Sequence, residues 1–136
     1  MYTSDNDAER RMRRMTLKYA AVSLALIVCA AIYEYFSHGV YSAYMLGMFV
    51  IPLLLGVLPS AILRKKRLMP PAGIRHIWNA GIATLTAGSF MAGVFEIYGT
   101  ASALTTVYPV AGAVLLTAAA AAWLAESGSS SGKHTA

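Results

Sequence analysis

The sequence predicts an all-α fold: a four-helix transmembrane bundle made of two helical hairpins. Three observations carry this. The 136 residues are 57% hydrophobic and 12% charged, against roughly 25% charged in an ordinary soluble domain. All 11 Lys and Arg lie at 10–18, at 64–75 or at Lys133, outside four long apolar runs. A short pattern also occurs twice: Ala30-Ala31-Ile32-Tyr33-Glu34-Tyr35-Phe36 and Ala92-Gly93-Val94-Phe95-Glu96-Ile97-Tyr98 each close an apolar run with a glutamate among aromatics. A water-soluble chain of this length needs far more polar surface to cover itself.

Residues 1–16 form a polar segment with a basic end. Ser4 or Asp5 is the expected helix cap, with Asp5, Asp7 and Glu9 favourable in the first turn. Arg10, Arg11, Arg13, Arg14 and Lys18 make a basic collar before span 1, residues 17–36. At 1.5 Å per residue that run crosses a hydrocarbon core of about 30 Å. A basic start before an apolar run also suits a signal peptide, but the run passes the small-residue site at Cys29-Ala30-Ala31 and further spans follow. Ser37-His38-Gly39-Val40 is a tight link. Span 2, residues 41–63, contains Pro52 and Pro59. Pro52 removes a backbone hydrogen bond well inside the run, so a kink is expected there, with a neighbour satisfying the freed carbonyl.

Arg64-Lys65-Lys66-Arg67 stops span 2, and Pro70-Pro71-Ala72-Gly73 forbids a continuous helix, so 64–76 reads as a basic loop. Span 3 covers 77–98 and span 4 covers 102–125, joined by an uncharged turn. Pro109 sits in the second turn of span 4. From Glu126 the Ser/Gly-rich tail, 126–136, is expected to be flexible. The domain reading is thus a basic N-terminal segment (1–16), a four-span domain (17–125) and a tail.

Basic residues before span 1 and between spans 2 and 3 predict a multi-pass protein of the cell membrane, with both termini and 64–76 cytoplasmic and the links 37–40 and 99–101 outside. The aromatics agree: Trp78, Trp123 and Tyr19 fall at the inner boundary, and Tyr33, Tyr35, Tyr41, Tyr44 and Tyr98 at the outer one. The net charge of +5 is topological, so the expected partners are the bilayer, with anionic lipids at the cytoplasmic basic collars, and not nucleic acid. A homo-oligomer or a membrane protein partner is also expected. Cys29 is the single cysteine and reads as a packing residue.

Shifted by 62 residues, Arg13, Ala21, Ala25, Ala30 and Glu34 fall on Arg75, Ala83, Ala87, Ala92 and Glu96. Both halves start on one side, as parallel repeats would. Internal duplication and chance similarity of two apolar hairpins are both open, because alanine matches come cheaply in such a chain. Two stretches, Ile32-Tyr33-Glu34-Tyr35-Phe36-Ser37-His38-Gly39-Val40-Tyr41-Ser42, and Gly81–Ser89 with Glu96-Ile97-Tyr98-Gly99-Thr100, resemble segments of a family of small four-span bacterial membrane proteins without assigned function. The resemblance covers most of 20–115. It implies the span count and no activity.

The candidate ligand-binding residues are Glu34, Glu96, Ser23, Ser89, Tyr33 and His38. An ionisable group within a span is a functional hypothesis by default. Each glutamate lies two residues before its span end, about 3 Å along the axis, so an interfacial or structural role competes with ligand or ion binding. Ser23 lies nearly beneath Glu34 on the helix, and Ser89 beneath Glu96. Two such stripes facing each other would line a narrow polar vestibule, and a pair of close carboxyls could share a proton or hold a cation. The competing explanation is that small residues and serines are common at membrane helix contacts. Span 3 fits the middle of the bundle, with Gly81 and Gly88 allowing close approach. His38 follows Glu34 by four residues, but neither His76 nor His134 lies near enough in the topology to complete a metal site. No cofactor is expected. No nucleophile–base pair, phosphate loop or HExxH pattern is present, and an enzyme is not expected.

Two functions remain. The first is a small-solute or ion transporter or binding subunit using the outward glutamates. Small multidrug exporters are similar in length, span number and a first-span glutamate, but Glu34 is near the membrane edge and their surrounding motif is missing. The second is a structural or accessory subunit packed against a larger membrane partner.

Overall fold

Four apolar helical rods make up the protein in the computed structural model, which describes residues 2–36, 42–100 and 102–131. They are α1 (Tyr2–Phe36), α2 (Ala43–Pro52), a π-helical turn (Leu53–Val57), α3 (Leu58–Lys65), α4 (Ala72–Ile97) and α5 (Leu104–Ser131). α2, the π turn and α3 run on as one rod, Ala43–Lys65, the second span. All four rods are long and apolar enough to cross a membrane. Large side chains cover their outer faces: Leu24 is 63% exposed and Leu124 is 69% exposed. Water would make such a surface aggregate, whereas lipid is the solvent it suits. The chain is a small integral membrane protein with an all-α four-helix architecture, and the two predicted hairpins are present. With four spans, the N-terminal extension of α1, the 66–71 loop and the end of α5 share one side, the basic end. Glu34 and Glu96 lie toward the other, the glutamate end.

Three boundaries differ from the sequence reading. α1 is one helix of 35 residues, about 52 Å long at 1.5 Å per residue, so its first turns extend past the hydrocarbon. Ser4 and Asp5 lie inside it, not at a cap. The run Ala8-Glu9-Arg10-Arg11-Met12-Arg13-Arg14-Met15 consists of strong helix formers and leaves no reason to break. α4 starts at Ala72, as soon as Pro71 is passed, which shortens the expected basic loop. Proline is tolerated just outside a helix start, where its missing N–H has no partner to lose. α5 continues through Glu126 to Ser131, with Ser127 Oγ donating to Trp123 O at 2.8 Å, so the expected flexible tail is helical up to there.

Both central rods end in the same backbone device. After α3, Arg67 N–H donates to Arg64 O at 3.1 Å and Leu68 N–H to Leu63 O at 3.0 Å. After α4, Gly99 N–H donates to Glu96 O at 3.1 Å and Thr100 N–H to Phe95 O at 3.0 Å. This is the Schellman pattern, which needs a left-handed residue just past the helix. Gly99 takes it at φ 69°, and Arg67 takes it at φ 53°. A non-glycine side chain pays about 1–2 kcal/mol for that conformation. Arg67→Gly is therefore expected to stabilise the protein in detergent by roughly 0.5–1 kcal/mol once the extra unfolded-state entropy of glycine is subtracted. A thermal unfolding series on the two proteins checks this.

Close backbone approach links the rods in the order α5, α4, second span, α1. α4 packs on both α5 and the second span, as its predicted central place requires. No Cα of α1 comes within 8 Å of one in α4 or α5. Spans 1 and 3 thus meet through side chains, without the close backbone approach that two facing small-residue stripes require. On one side, long side chains bridge α1 to α4. Tyr19 Oη donates to Asn79 Oδ1, and the Tyr33 and Phe90 rings meet edge to face at 5.7 Å.

The two hairpins are held by different chemistry. In α4–α5, glycines let backbones approach. A Cβ on Gly88 would sit 2.3 Å from Tyr108 Cβ, and one on Gly112 would sit 2.5 Å from Leu85 Cγ. In α1–second span, hydroxyls and a ring make the contact. Thr16 Oγ1 lies 3.0 Å from Ser60 Oγ, while Thr16 also reaches Met12 O at 3.0 Å and Ser60 reaches Val57 O at 2.9 Å. Two hydroxyls carry two protons, so only two of these three bonds form at once. The ring of Tyr19 packs on Gly56, where a Cβ would be 2.4 Å from Cδ1.

The predicted disturbance at Pro52 takes the form of the π turn that starts at the next residue. Leu58 N–H donates to Leu53 O, five residues back. Pro59 follows, and it has no N–H for Leu55 O, four residues earlier. Trp78 of α4 supplies the donor instead, its Nε1–H reaching Leu55 O at 2.8 Å. The neighbour that satisfies a freed carbonyl in the second span is thus a tryptophan also expected at the inner boundary, and the proline concerned is Pro59.

Candidate functional site

The residues of the candidate vestibule at the glutamate end are placed as follows. Glu34 is half-buried near the end of α1. Glu96 is exposed near the end of α4 and accepts a hydrogen bond from Ser42 Oγ. Ser42 precedes α2 at the N-cap position with extended backbone, φ −103° and ψ 123°. Its hydroxyl is not used to cap the helix and goes to the carboxylate. The first free N–H groups of α2 carry a partial positive charge, so a carboxylate held beside Ser42 is favourably placed. The side chain of Ser42 is buried.

Ser89 faces the second span, not α1: a Cβ on Gly47 would lie 3.1 Å from Ser89 Oγ. Gly93, one turn further along the same face, admits Met45, whose Cε would be 3.1 Å from a Cβ there. Met45 and Met48 are both 1% exposed. Apolar side chains of the second span thus pack beside the Ser89 face of α4. Tyr33 holds the edge-to-face contact with Phe90. Ser23 is 2% exposed on the seam of α1 toward the second span, and its Oγ has no hydrogen-bond partner among the described residues. The contacts of Thr16 with Ser60 and Tyr19 with Gly56 set an antiparallel register that brings Ser23 level with Pro52. His38 lies outside the described residues, as does Tyr41. Among the described residues no group of His, Cys, Asp and Glu is placed to hold a metal ion.

The structure therefore joins Glu96 to Ser42, Ser89 to Gly47, and Tyr33 to Phe90. The backbones of the two helices that carry the glutamates stay apart. Sequence reasoning missed Ser42, although a serine just before an apolar run is an N-cap signal. It also missed the pairing of Trp78 with Leu55, for which the offset of four between Leu55 and Pro59 was the available signal.

No family model, no curated protein and no solved structure matches this chain. The sequence resemblance to small four-span bacterial proteins therefore has no support from these comparisons, and the site is argued from its geometry.

Proposed function

We propose that the protein is a packing subunit of a membrane assembly, with its basic end in the cytoplasm, that docks through the free face of α5. The observation that carries this is the contrast between the two outer helices. The free face of α1 presents large lipid-like side chains: Leu17, Leu24, Ile32, Tyr35 and Phe36 are all more than half exposed. The free face of α5 presents Val107, Val110 and Val114, with Thr117 and Ala121 in line, and a large side chain only at its end, Leu124. β-Branched and small side chains at three- and four-residue spacing lose little rotamer freedom and let a second helix come close. Thr117 turns its hydroxyl back to Ala113 O at 2.9 Å, leaving its methyl for such a contact. The partner is another transmembrane helix, of a larger protein or of a second copy.

The mass of the purified protein in a mild detergent tests this. Above the 14.5 kDa of one chain, a discrete complex is expected. Val114→Trp with Ala121→Trp should dissolve it, while Leu24→Trp should not. A monomer, or a complex indifferent to the α5 changes, contradicts the proposal. The orientation is tested with Lys66→Cys and Thr100→Cys, made singly in a Cys29→Ser background. An impermeant thiol reagent on intact cells should label position 100 and spare position 66.

A transport or ion-binding role for Glu34, Glu96, Ser23 and Ser89 is the second reading. Ser23 favours it: a buried hydroxyl with no partner beside a proline and a π turn is the kind of irregular, polar spot that membrane transporters use. Glu34→Gln with Glu96→Gln should abolish ion or solute binding if that reading is right, and leave it unchanged if the carboxylates are interfacial anchors.

A further inference from the structure

The basic end holds two cavities that share a wall. The inner one, about 190 Å³, is a cleft lined by all four rods, with Tyr19, Gly56, Trp78 and Trp123 in its wall, and its lining is almost wholly apolar. The outer one, about 750 Å³, lies between the N-terminal extension of α1 and the end of α3, lined by Asn6, Glu9, Arg64, Lys65 and Arg67. Met12 and Leu63 line both, so the two adjoin. Arg75 stands on the inner cleft. Among the described residues no carboxylate pairs with Arg64, Lys65, Arg67 or Arg75. The cleft reaches Gly56, eight residues inward from Arg64, about 12 Å along the helix axis.

We infer that this pair of cavities binds one anionic phospholipid, with the headgroup phosphate in the basic basin and a section of one acyl chain in the cleft between Trp78 and Trp123. Three features converge on that occupant. The chemistry changes from cationic to apolar over the distance between a headgroup and the upper part of its chain. The cleft lies below the roughly 300–1,000 Å³ of sites that enclose a drug-sized ligand, a size suited to a length of chain whose remainder stays in the bilayer. Among the described residues the cations have no carboxylate partner, and juxtamembrane Lys and Arg attract anionic headgroups additively. Glu9 in the basin wall opposes the phosphate, and the surrounding cations outnumber it. A neutral lipid would fill the cleft equally but leave the four cations unmatched, so the geometry predicts selection by headgroup charge.

The test uses the two tryptophans, which are the only ones in the chain and both line the cleft. Delipidated protein in a neutral detergent is titrated with phosphatidylglycerol brominated on its acyl chains, and tryptophan quenching is followed. Saturable quenching at one lipid per chain is expected, with brominated phosphatidylcholine weaker by about tenfold or more. Arg64→Gln with Lys65→Gln and Arg67→Gln should bring the two lipids together. Ala120→Phe, which fills the cleft wall, should remove the saturable phase. Equal quenching by the two lipids, or quenching that never saturates, overturns the inference, and both are read on the unaltered protein. Glycerol phosphate displacing the brominated lipid at similar concentrations would overturn the acyl-chain half, by showing a headgroup site alone.

Discussion

Gly88→Leu is expected to prevent α4 and α5 from closing, and the protein should lose most of its folded yield in detergent. Even Gly88→Ala should destabilise it. The reason is local and geometric. The Cβ of any residue at 88 would stand 2.3 Å from Tyr108 Cβ and 3.6 Å from Tyr108 Cα. No rotamer of Tyr108 moves its own Cβ, so relief requires the two helices to separate. Separation also strips the contacts at Gly81 and Gly112, where Leu116 and Leu85 occupy the space of the missing side chains. Overpacking of this kind costs about 1–3 kcal/mol per site. Gly73→Ala, where nothing lies within 4 Å, is the matched control and should be harmless. Thermal unfolding of the two alanine variants in one detergent gives the comparison.

Trp78→Phe is expected to destabilise the second span by roughly 1–3 kcal/mol, the cost of leaving a buried carbonyl without its donor. Phenylalanine keeps much of the ring and removes the Nε1–H that serves Leu55 O. The effect should depend on Pro59. In a Pro59→Ala background the backbone N–H of residue 59 becomes available to Leu55 O, so the same Trp78→Phe change should cost less. A double-mutant cycle on unfolding midpoints measures that coupling. Equal losses in both backgrounds would mean that Trp78 stabilises the protein by packing alone.

Much of this architecture was legible in the order of residues, because a bilayer leaves few choices. Charge excluded from four apolar runs forces four spans, and a short link forces each hairpin. Gly81 and Gly88 announced a close neighbour for the third span, and α5 is that neighbour. What could not be read was which helices stand side by side. The matched positions of Glu34 and Glu96 suggested two closely packed helices, whereas α1 and α4 meet through long side chains. Periodicity along one rod shows which face is packed but not against what, and here the seams carrying Ser23 and Ser89 both serve the second span. Helix ends were also missed, at Tyr2, Ala72 and Ser131. Propensity and proline placement act locally there, beyond the reach of hydropathy. The basic basin beside an apolar cleft was out of reach for a different reason. Its walls come from segments far apart in sequence, and Trp78 and Trp123 read singly as ordinary boundary residues.

The helices bearing Glu34 and Glu96 meet through long side chains and keep every Cα pair more than 8 Å apart. Oxidative cross-linking of paired cysteines in a Cys29→Ser background tests this most directly. A disulfide needs Cα atoms within about 7 Å. Thr16→Cys with Ser60→Cys, whose native oxygens lie 3.0 Å apart, should bridge in high yield. Glu34→Cys with Glu96→Cys, on helices with no Cα pair within 8 Å, should remain free thiols under the same oxidant. Efficient bridging of positions 34 and 96 would contradict the arrangement and return the paired glutamates to the centre of the protein's function.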